Sequence, residues 1–189
     1  MRAKTLLIGF LTTLVILWVS TSGAFAAETK IWHVKAVHPE GRLLDVKALD
    51  EEGNVFDVKA IAQTGNPHIL DVKALVGGKK LPVKILVSDD KYAPVKAIGE
   101  DGTIFDIKAL TPERERLDVK GVERAGNIFH IKAIGPQGTF YGVKAISPEG
   151  HLYDVKGIKM VSDRVELIIN GVPVAAHVKA LPQVPCSDQ

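Results

Sequence analysis

Aspartate and lysine recur two residues apart along most of the chain, in a phrase first seen clearly as Asp45-Val46-Lys47-Ala48. A carboxylate beside an amine could act as a catalytic acid and base. A pair repeated on nearly every segment is instead typical of a solvated, ion-paired face, where each exposed pair contributes only about 0.2–1 kcal/mol. We therefore predict that these charges guide assembly and are not catalytic.

The six histidines raise the question of a metal site. His33, His130 and His177 occupy the aspartate position of the phrase and are predicted to lie on the charged face. They are far apart in the order of predicted strands, and no His-x-His motif or cysteine–histidine cluster occurs. The sequence also has no nucleophile elbow and no phosphate-binding glycine loop. We expect no metal site, no cofactor and no enzyme activity.

Aromatic side chains could instead form platforms that stack on sugars. Most of them share one face of the predicted strands with alanines opposite, which favours core packing over binding. These are Phe56, Phe105, Phe129, Tyr141 and Tyr153. Trp32, Tyr92 and Phe140 fall outside that regular scheme or at its edge, so they are the better candidates for binding.

The N-terminus has the pattern of a secretory signal peptide over residues 1–26. Arg2 and Lys4 precede an apolar run of about 15 residues, and Ala24-Phe25-Ala26 is a small-x-small cleavage signal. The run is shorter than the roughly 20 residues of a spanning helix, which argues against an uncleaved anchor. We predict an exported protein, periplasmic or secreted, with no membrane span after cleavage. We also expect no lipid anchor, because Ala27 and not a cysteine stands at the cleavage point.

Signal cleavage would change the charge balance. The whole chain has 24 basic and 22 acidic residues, and loss of Arg2 and Lys4 makes the two numbers equal. A neutral chain without a basic cluster argues against nucleic-acid binding. The only cysteine, Cys186, excludes an intramolecular disulfide and is expected to be an exposed free thiol on a flexible tail, 182–189, or to pair with another molecule.

The lysine of the phrase recurs mostly every 12 residues, which indicates one small unit copied many times. Each unit alternates apolar and charged residues, as in Val55 to Ile61, and this is a strand pattern. Turns such as Pro39-Glu40-Gly41 predict type I hairpins closed by a left-handed glycine, and Gly77-Gly78 and Asn170-Gly171 predict two-residue hairpins. The marker lysines are Lys35, Lys47, Lys59, Lys73, Lys84, Lys96, Lys108, Lys120, Lys132, Lys144, Lys156 and Lys179.

Hairpin geometry predicts which residues face each other. Lys35 is expected opposite Asp45, and Ala36 opposite Leu44, so that opposite charges meet and small residues meet large ones. Continued along the chain, the same rule sets valine against valine, for example Val58 against Val72. A strand with a symmetric three-residue loop at each end, however, could not alternate hydrogen-bonded and non-hydrogen-bonded pairs with both of its neighbours. Some hairpins must therefore close differently or carry a bulge.

The predicted fold is all-β: one domain, residues 27–181, forming an antiparallel up-and-down meander of about 13 short strands. A β-solenoid is the alternative, but it would stack lysine on lysine. So many strands cannot fill a round barrel, so we expect a sandwich or flattened barrel. Strands five and six, where Pro82 and Pro94 replace aspartate, are the expected crease.

Two functions fit this sequence. The first is a non-catalytic binding or structural role at the cell envelope or outside the cell, with a protein or glycan partner. The second is a carrier or enzyme that encloses a small molecule between the halves of the sheet. We expect any local site where the phrase fails: at strands five and six, the loop 63–67, or the C-terminal hairpin and tail.

Overall fold

The computed structural model describes residues 30–63, 66–159 and 167–183, without the side chains of residues 67 and 123–125. The predicted signal peptide, Cys186 and most of the predicted tail lie outside these residues. The strands are β1 Ile31–Val37, β2 Leu43–Leu49, β3 Val55–Gln63, β4 Asn66–Val76, β5 Lys79–Leu86, β6 Ala93–Ile98, β7 Ile104–Leu110, β8 Arg116–Ala125, β9 Ile128–Ile134, β10 Phe140–Ile146, β11 Leu152–Ile158, β12 Leu167–Ile169 and β13 Val172–Pro182, with a 3₁₀ turn at Pro136–Gly138.

The described residues form one antiparallel sheet of 13 strands. The predicted all-β antiparallel meander is therefore confirmed, and the pairings of the described strands are not those of a parallel solenoid. The repeated charges explain this preference in part, because antiparallel hairpins bring each lysine opposite an acidic position. Strand β13 extends to Pro182, the first residue of the predicted tail.

Hairpins close as the turn chemistry predicts. Lys35 pairs with Asp45 and Ala36 with Leu44 across the first turn. Gly41 at the end of that turn has a φ of 83°, a conformation that L side chains rarely adopt. The predicted two-residue turn also forms, with φ values of 55° at Gly77 and 78° at Gly78.

Each hairpin is shorter than the sequence pattern suggests, because strands change partner half-way along. The first half of β2 pairs with β1 and its second half pairs with β3. The opposite edge of β2 pairs with β7 along residues Asp45 to Leu49. Both hairpins of β2 therefore use the same edge. This arrangement removes the conflict in hydrogen-bond alternation that two full-length hairpins would create.

Strands associate in groups of three. In each group the third strand pairs over half of its length with the first strand, as the first and second strands also do with each other. In β1, for example, His33 pairs with Lys59 of β3 while Lys35 pairs with Asp45 of β2. Four such groups occur in the described residues. We call them triangle 1 (β1, β2, β3), triangle 2 (β4, β5, β13), triangle 3 (β6, β7, β8) and triangle 4 (β9, β10, β11).

Six two-stranded ribbons link these triangles, and each ribbon has a lysine opposite a lysine at its centre. The predicted register of Val58 against Val72 is wrong, since Val58 pairs with Ala74 and Lys59 with Lys73. The central pairs are Lys35 with Lys144, Lys47 with Lys108, Lys59 with Lys73, Lys84 with Lys96, Lys120 with Lys132, and Lys156 with Lys179.

Each pair of triangles shares one ribbon, which is the connectivity of a tetrahedron. Triangle 1, for instance, is linked to triangle 2 by β3–β4, to triangle 3 by β2–β7 and to triangle 4 by β1–β10. The sheet therefore closes through the twelve strands of the four triangles and not at one crease, while β12 is added beside β13. Strands β5 and β6, the predicted crease, form one of the six ribbons, with Val83 opposite Ala97.

The core is the valine and alanine face of the strands. It is one continuous cluster of buried side chains, to which all of the triangles contribute. Val34 and Val46 are each 3% exposed, and Ala36 and Ala48 are fully buried. Burial of this apolar face is the main source of stability, because the sequence has a single cysteine and so cannot form an intramolecular disulfide.

Candidate functional site

The centre of each triangle is a cluster of lysines and acidic positions on the outer face. In triangle 1, Lys35 donates a hydrogen bond to Asp45, and Lys47 donates one to Asp57. The third lysine, Lys59, lies 3.0 Å from Nδ1 of His33. The hydrogen bond from Lys35 is the largest effect that lowers the pKa of Asp45. The predicted ion pairs thus form between hairpin neighbours.

Charge in these clusters is not balanced. Twelve marker lysines face only six aspartates, because six units have another residue two places before the lysine. The three histidines of the charged face fill that position in three different triangles: His33 in triangle 1, His130 in triangle 4 and His177 in triangle 2. The remaining replacements are Pro82, Pro94 and Gly142.

Triangle 2 combines three lysines with one carboxylate. Asp71 accepts hydrogen bonds from Lys179 and, at 3.0 Å, from Nε2 of Gln63. The Nζ atom of Lys73 lies 3.9 Å from the other oxygen of Asp71. Lys84 is 8% exposed, and its amine contacts Nδ1 of His177.

The electrostatics of triangle 2 follow from this composition. Burial, and then the charges of Lys73 and Lys179, lower the pKa of Lys84 to about 8. Burial, and then the charge of Lys84, lower the pKa of His177 to about 4. His177 is therefore neutral at pH 7 and accepts at Nδ1, while its Nε2 is buried and has no hydrogen-bond partner in the part of the chain that the structure describes.

A second candidate region is the corner at which the C-terminal ends of β5, β8 and β11 meet, which we call the cleft corner. At the equivalent corners formed by β1, β7 and β9 and by β2, β4 and β6, hairpin turns join strands of the same triangle. At the cleft corner the chain instead crosses between triangles, through residues 87–92 and 126–127.

The packing of the cleft corner also departs from the repeat. Most strands have alanine after the marker lysine, but β5 has Ile85, β8 has Gly121 and β11 has Gly157. A Cβ atom added to Gly157 would lie 2.3 Å from Cδ1 of Ile85, and one added to Gly121 would lie 3.3 Å from the same atom. One isoleucine therefore fills the space of three alanines, and two glycines make room for it.

An open cleft of about 300 Å³ lies beside this packing. Its apolar lining includes Ala93, Val122 and Phe129, and Ser88, Asp90 and Lys91 supply polar groups. The volume is at the lower end of the range of small-ligand sites. Ala175, the extra residue of a bulge in β13, completes the lining. The cleft thus lies beside the connection between strands five and six, one of the places where the repeated phrase fails.

The three aromatic candidates have different positions. Trp32 is 7% exposed and packs edge-on against Tyr153, with ring centroids 4.5 Å apart, so the expectation of a binding platform is wrong for it. Tyr92 and Phe140, in contrast, contact each other at 5.7 Å between centroids. Phe140 is 40% exposed, and Nζ of Lys91 lies 5.1 Å from the centre of the Tyr92 ring.

The other places where the phrase fails are less informative. In the predicted loop 63–67, Gln63 ends β3 and Asn66 begins β4. The C-terminal hairpin turn at Asn170 reaches triangle 3, where its side-chain amide donates to the carbonyl of Gly99 at 2.7 Å. In the described ranges, no three histidine, cysteine, aspartate or glutamate side chains converge as metal ligands would. No helix among those residues has the length and apolarity needed to cross a membrane.

These features define a closed antiparallel repeat fold with two irregular regions, triangle 2 and the cleft corner. The chain belongs to a family of unknown function, DUF7486, whose family model matches residues 28–181. The match covers the whole predicted repeat domain apart from its first residue. Neither a curated protein nor a solved structure matches the chain.

Proposed function

We propose that the protein is an exported, non-catalytic binding protein that contacts a protein or glycan of the cell envelope through the cleft corner. The observation that carries the proposal is the contrast between the filled interior of the cleft corner and the open cleft at its surface. Ile85 is fully buried and lies within van der Waals reach of the positions that Gly121 and Gly157 leave empty. This packing favours surface binding over the alternative of a carrier that encloses its ligand.

The cleft supports binding because its chemistry is mixed. The floor offers apolar contacts from Val122 and Phe129, and the connection 87–92 places Asp90 and Lys91 at the same opening. A ligand with both apolar and hydrogen-bonding groups would satisfy both parts. Val87, on the same connection, is 44% exposed and adds apolar surface there.

Binding is tested with variants that fill the cleft. The chain from residue 27 is immobilised as wild type, as Ala175→Trp and as Leu43→Trp, and is probed with a glycan array and with detergent-extracted envelope proteins. Leu43 is 52% exposed and does not line the cleft, so its variant is the matched control. We expect a ligand that is retained by the wild type and by Leu43→Trp but lost by Ala175→Trp. Equal retention by all three chains would remove the cleft from the proposal.

Export is tested separately. The expected result is secretion of a chain that begins at Ala27, because Ala24 and Ala26 form the small-x-small signal. Intact-mass measurement of the protein from the periplasm and the medium reads this directly. A cell-associated chain that retains Arg2 and Lys4 would contradict export with cleavage.

A further inference from the structure

We infer that triangle 2 is a binding site for a small oxyanion, with Lys73, Lys84 and Lys179 as its cationic ligands. The site is distinct from the cleft, and its test does not depend on the proposed function. Three features support this site: the number of charges in the triangle, their contacts and the burial of Lys84.

The number of charges differs between triangles of the same geometry. Triangle 3 has three lysines with the carboxylates Asp106 and Asp118, and Pro94 fills the third acidic position. Triangle 2 has three lysines with Asp71 only, because Pro82 and His177 fill the other two positions. Triangle 2 is therefore one negative charge poorer than triangle 3. Triangle 4 also has a single aspartate at these positions, Asp154, but the one buried marker lysine of the described residues, Lys84, is in triangle 2.

The contacts show where a negative charge is missing. Asp71 is shared between Lys179, which donates to one oxygen, and Lys73, which lies 3.9 Å from the other. Lys84 contacts the neutral ring of His177 and is 8% exposed. A buried ammonium without a carboxylate is costly, and an anion between the three amines would offset that cost.

The surroundings suit a small anion with several acceptor oxygens. Lys73 and Lys179 have side-chain exposures of 26% and 18%, so the triangle is open to solvent above the buried Lys84. Three ammonium groups from three strands are donors that phosphate, sulfate or a carboxylate can accept together. The Nε2 of His177 is buried and has no hydrogen-bond partner among the described residues.

The bound oxyanion could be a free anion, or it could be a phosphate or sulfate group attached to a glycan. Two probes distinguish these ligands. Saturable binding of inorganic phosphate equal to that of glucose 6-phosphate assigns the site to a free anion. Tighter binding of glucose 6-phosphate, with no binding of glucose, assigns it to a group on a sugar. No saturable binding of any probe overturns the inference.

Variants test the residues. The chain from residue 27 is titrated with phosphate at pH 7 and constant ionic strength, and binding is read by calorimetry and by the ¹⁵N shifts of the His177 ring. Lys84→Met removes a cation but keeps most of the apolar stem, and we expect at least an about tenfold loss of affinity, which corresponds to about 1.4 kcal/mol. Lys96→Met, in triangle 3, is the matched control and should leave the affinity unchanged.

A second variant separates binding from folding. His177→Asp places a carboxylate at the acidic position beside Lys84, as Asp45 stands beside Lys35 in triangle 1. We expect a folded chain with an unchanged or higher melting temperature and an about tenfold weaker affinity for phosphate, because the carboxylate replaces the ligand. Affinity that is unchanged in both Lys84→Met and His177→Asp, or lost equally in Lys96→Met, would overturn the site.

Discussion

The regular corner formed by β1, β7 and β9 and the cleft corner have the same strand geometry but solve their packing differently. Ala36, Ala109 and Ala133 occupy the first, each fully buried, and Ile85, Gly121 and Gly157 occupy the second. Hairpin turns within a triangle cover the regular corner, whereas the cleft corner, with the connection 87–92 and the two-residue turn 126–127, is open. Each corner therefore has room for a fixed total volume of side chains. One large side chain can fill that volume when the residues on the two neighbouring strands become smaller.

The largest effect is expected when the cleft corner is emptied. Ile85→Ala removes a fully buried side chain that two glycines cannot replace. We expect a loss of about 3 kcal/mol in the free energy of unfolding, measured by urea denaturation, because a cavity is left behind. A loss below about 1 kcal/mol would mean that the corner collapses freely around the missing side chain.

A smaller effect is expected when extra atoms are added to the cleft corner. In the wild-type background, Gly157→Ala places its Cβ 2.3 Å from Cδ1 of Ile85, and Gly121→Ala places its Cβ 3.3 Å from the same atom. We expect a cost of about 1–3 kcal/mol for Gly157→Ala, and a smaller one for Gly121→Ala. Urea denaturation of the two single variants gives the order. The reverse order would contradict the contact between Gly157 and Ile85.

A third prediction concerns how the stability of the chain depends on pH through His177 of triangle 2. The pKa of His177 is about 4 in the folded chain, below its ordinary value of 6.5, because of burial and the charge of Lys84. The unfolded chain therefore binds more protons between these two pH values, and stability falls as pH falls through this window. The other charged groups that face His177 are Lys73 and Lys179, which also lower its pKa, and Asp71, which raises it.

The measurement is the melting temperature of wild type and His177→Gln between pH 7 and pH 5. We expect the wild type to lose more than the variant, because only the wild type must take up a proton at that position on unfolding. Aspartates contribute equally to both chains and cancel in the difference. Parallel curves would show that His177 is not held in its neutral form.

The smallest expected effect lies in the regular corner. Arg114 ends the turn between β7 and β8 at the position that Gly41 occupies in the first turn, and it has a φ of 65°. Arg114→Gly should raise the free energy of unfolding by about 0.5–1 kcal/mol, since glycine adopts this conformation without strain. Gly41→Arg is the matched reverse change and should lower it. Thermal unfolding that shows no opposite shifts would contradict this reading of the turn.

Local features of the fold could be predicted from the sequence because they depend on residues about ten apart. Glycine at the end of a three-residue turn determines the pairing of Lys35 with Asp45, and alternation determines the buried face. The ribbons could not be predicted in this way. The rule against like charges excluded Lys59 opposite Lys73, yet in triangle 1 the amine of Lys59 lies beside His33 of β1 and beside Asp57, two residues earlier on its own strand.

The candidate sites were predicted in part. The break in the pattern at strands five and six indicated the region of the cleft, and Tyr92 and Phe140 are partly exposed there and nearby. Trp32 could have been placed correctly, because it lies two residues before Val34, the same core position that Leu44 occupies before Val46. The shortage of aspartates is countable in the sequence, but only the strand pairing shows that triangle 2 has the buried lysine.

The most direct test of the fixed corner volume is the triple variant Ile85→Ala, Gly121→Ala and Gly157→Ala, which gives the cleft corner the three alanines of a regular corner. We expect its free energy of unfolding to return to within about 1 kcal/mol of the wild type, which requires a coupling of at least about 3 kcal/mol relative to the sum of the single changes. Ile98→Ala, at another fully buried isoleucine, should gain nothing from the same glycine replacements. A triple variant at least as unstable as Ile85→Ala would contradict the account.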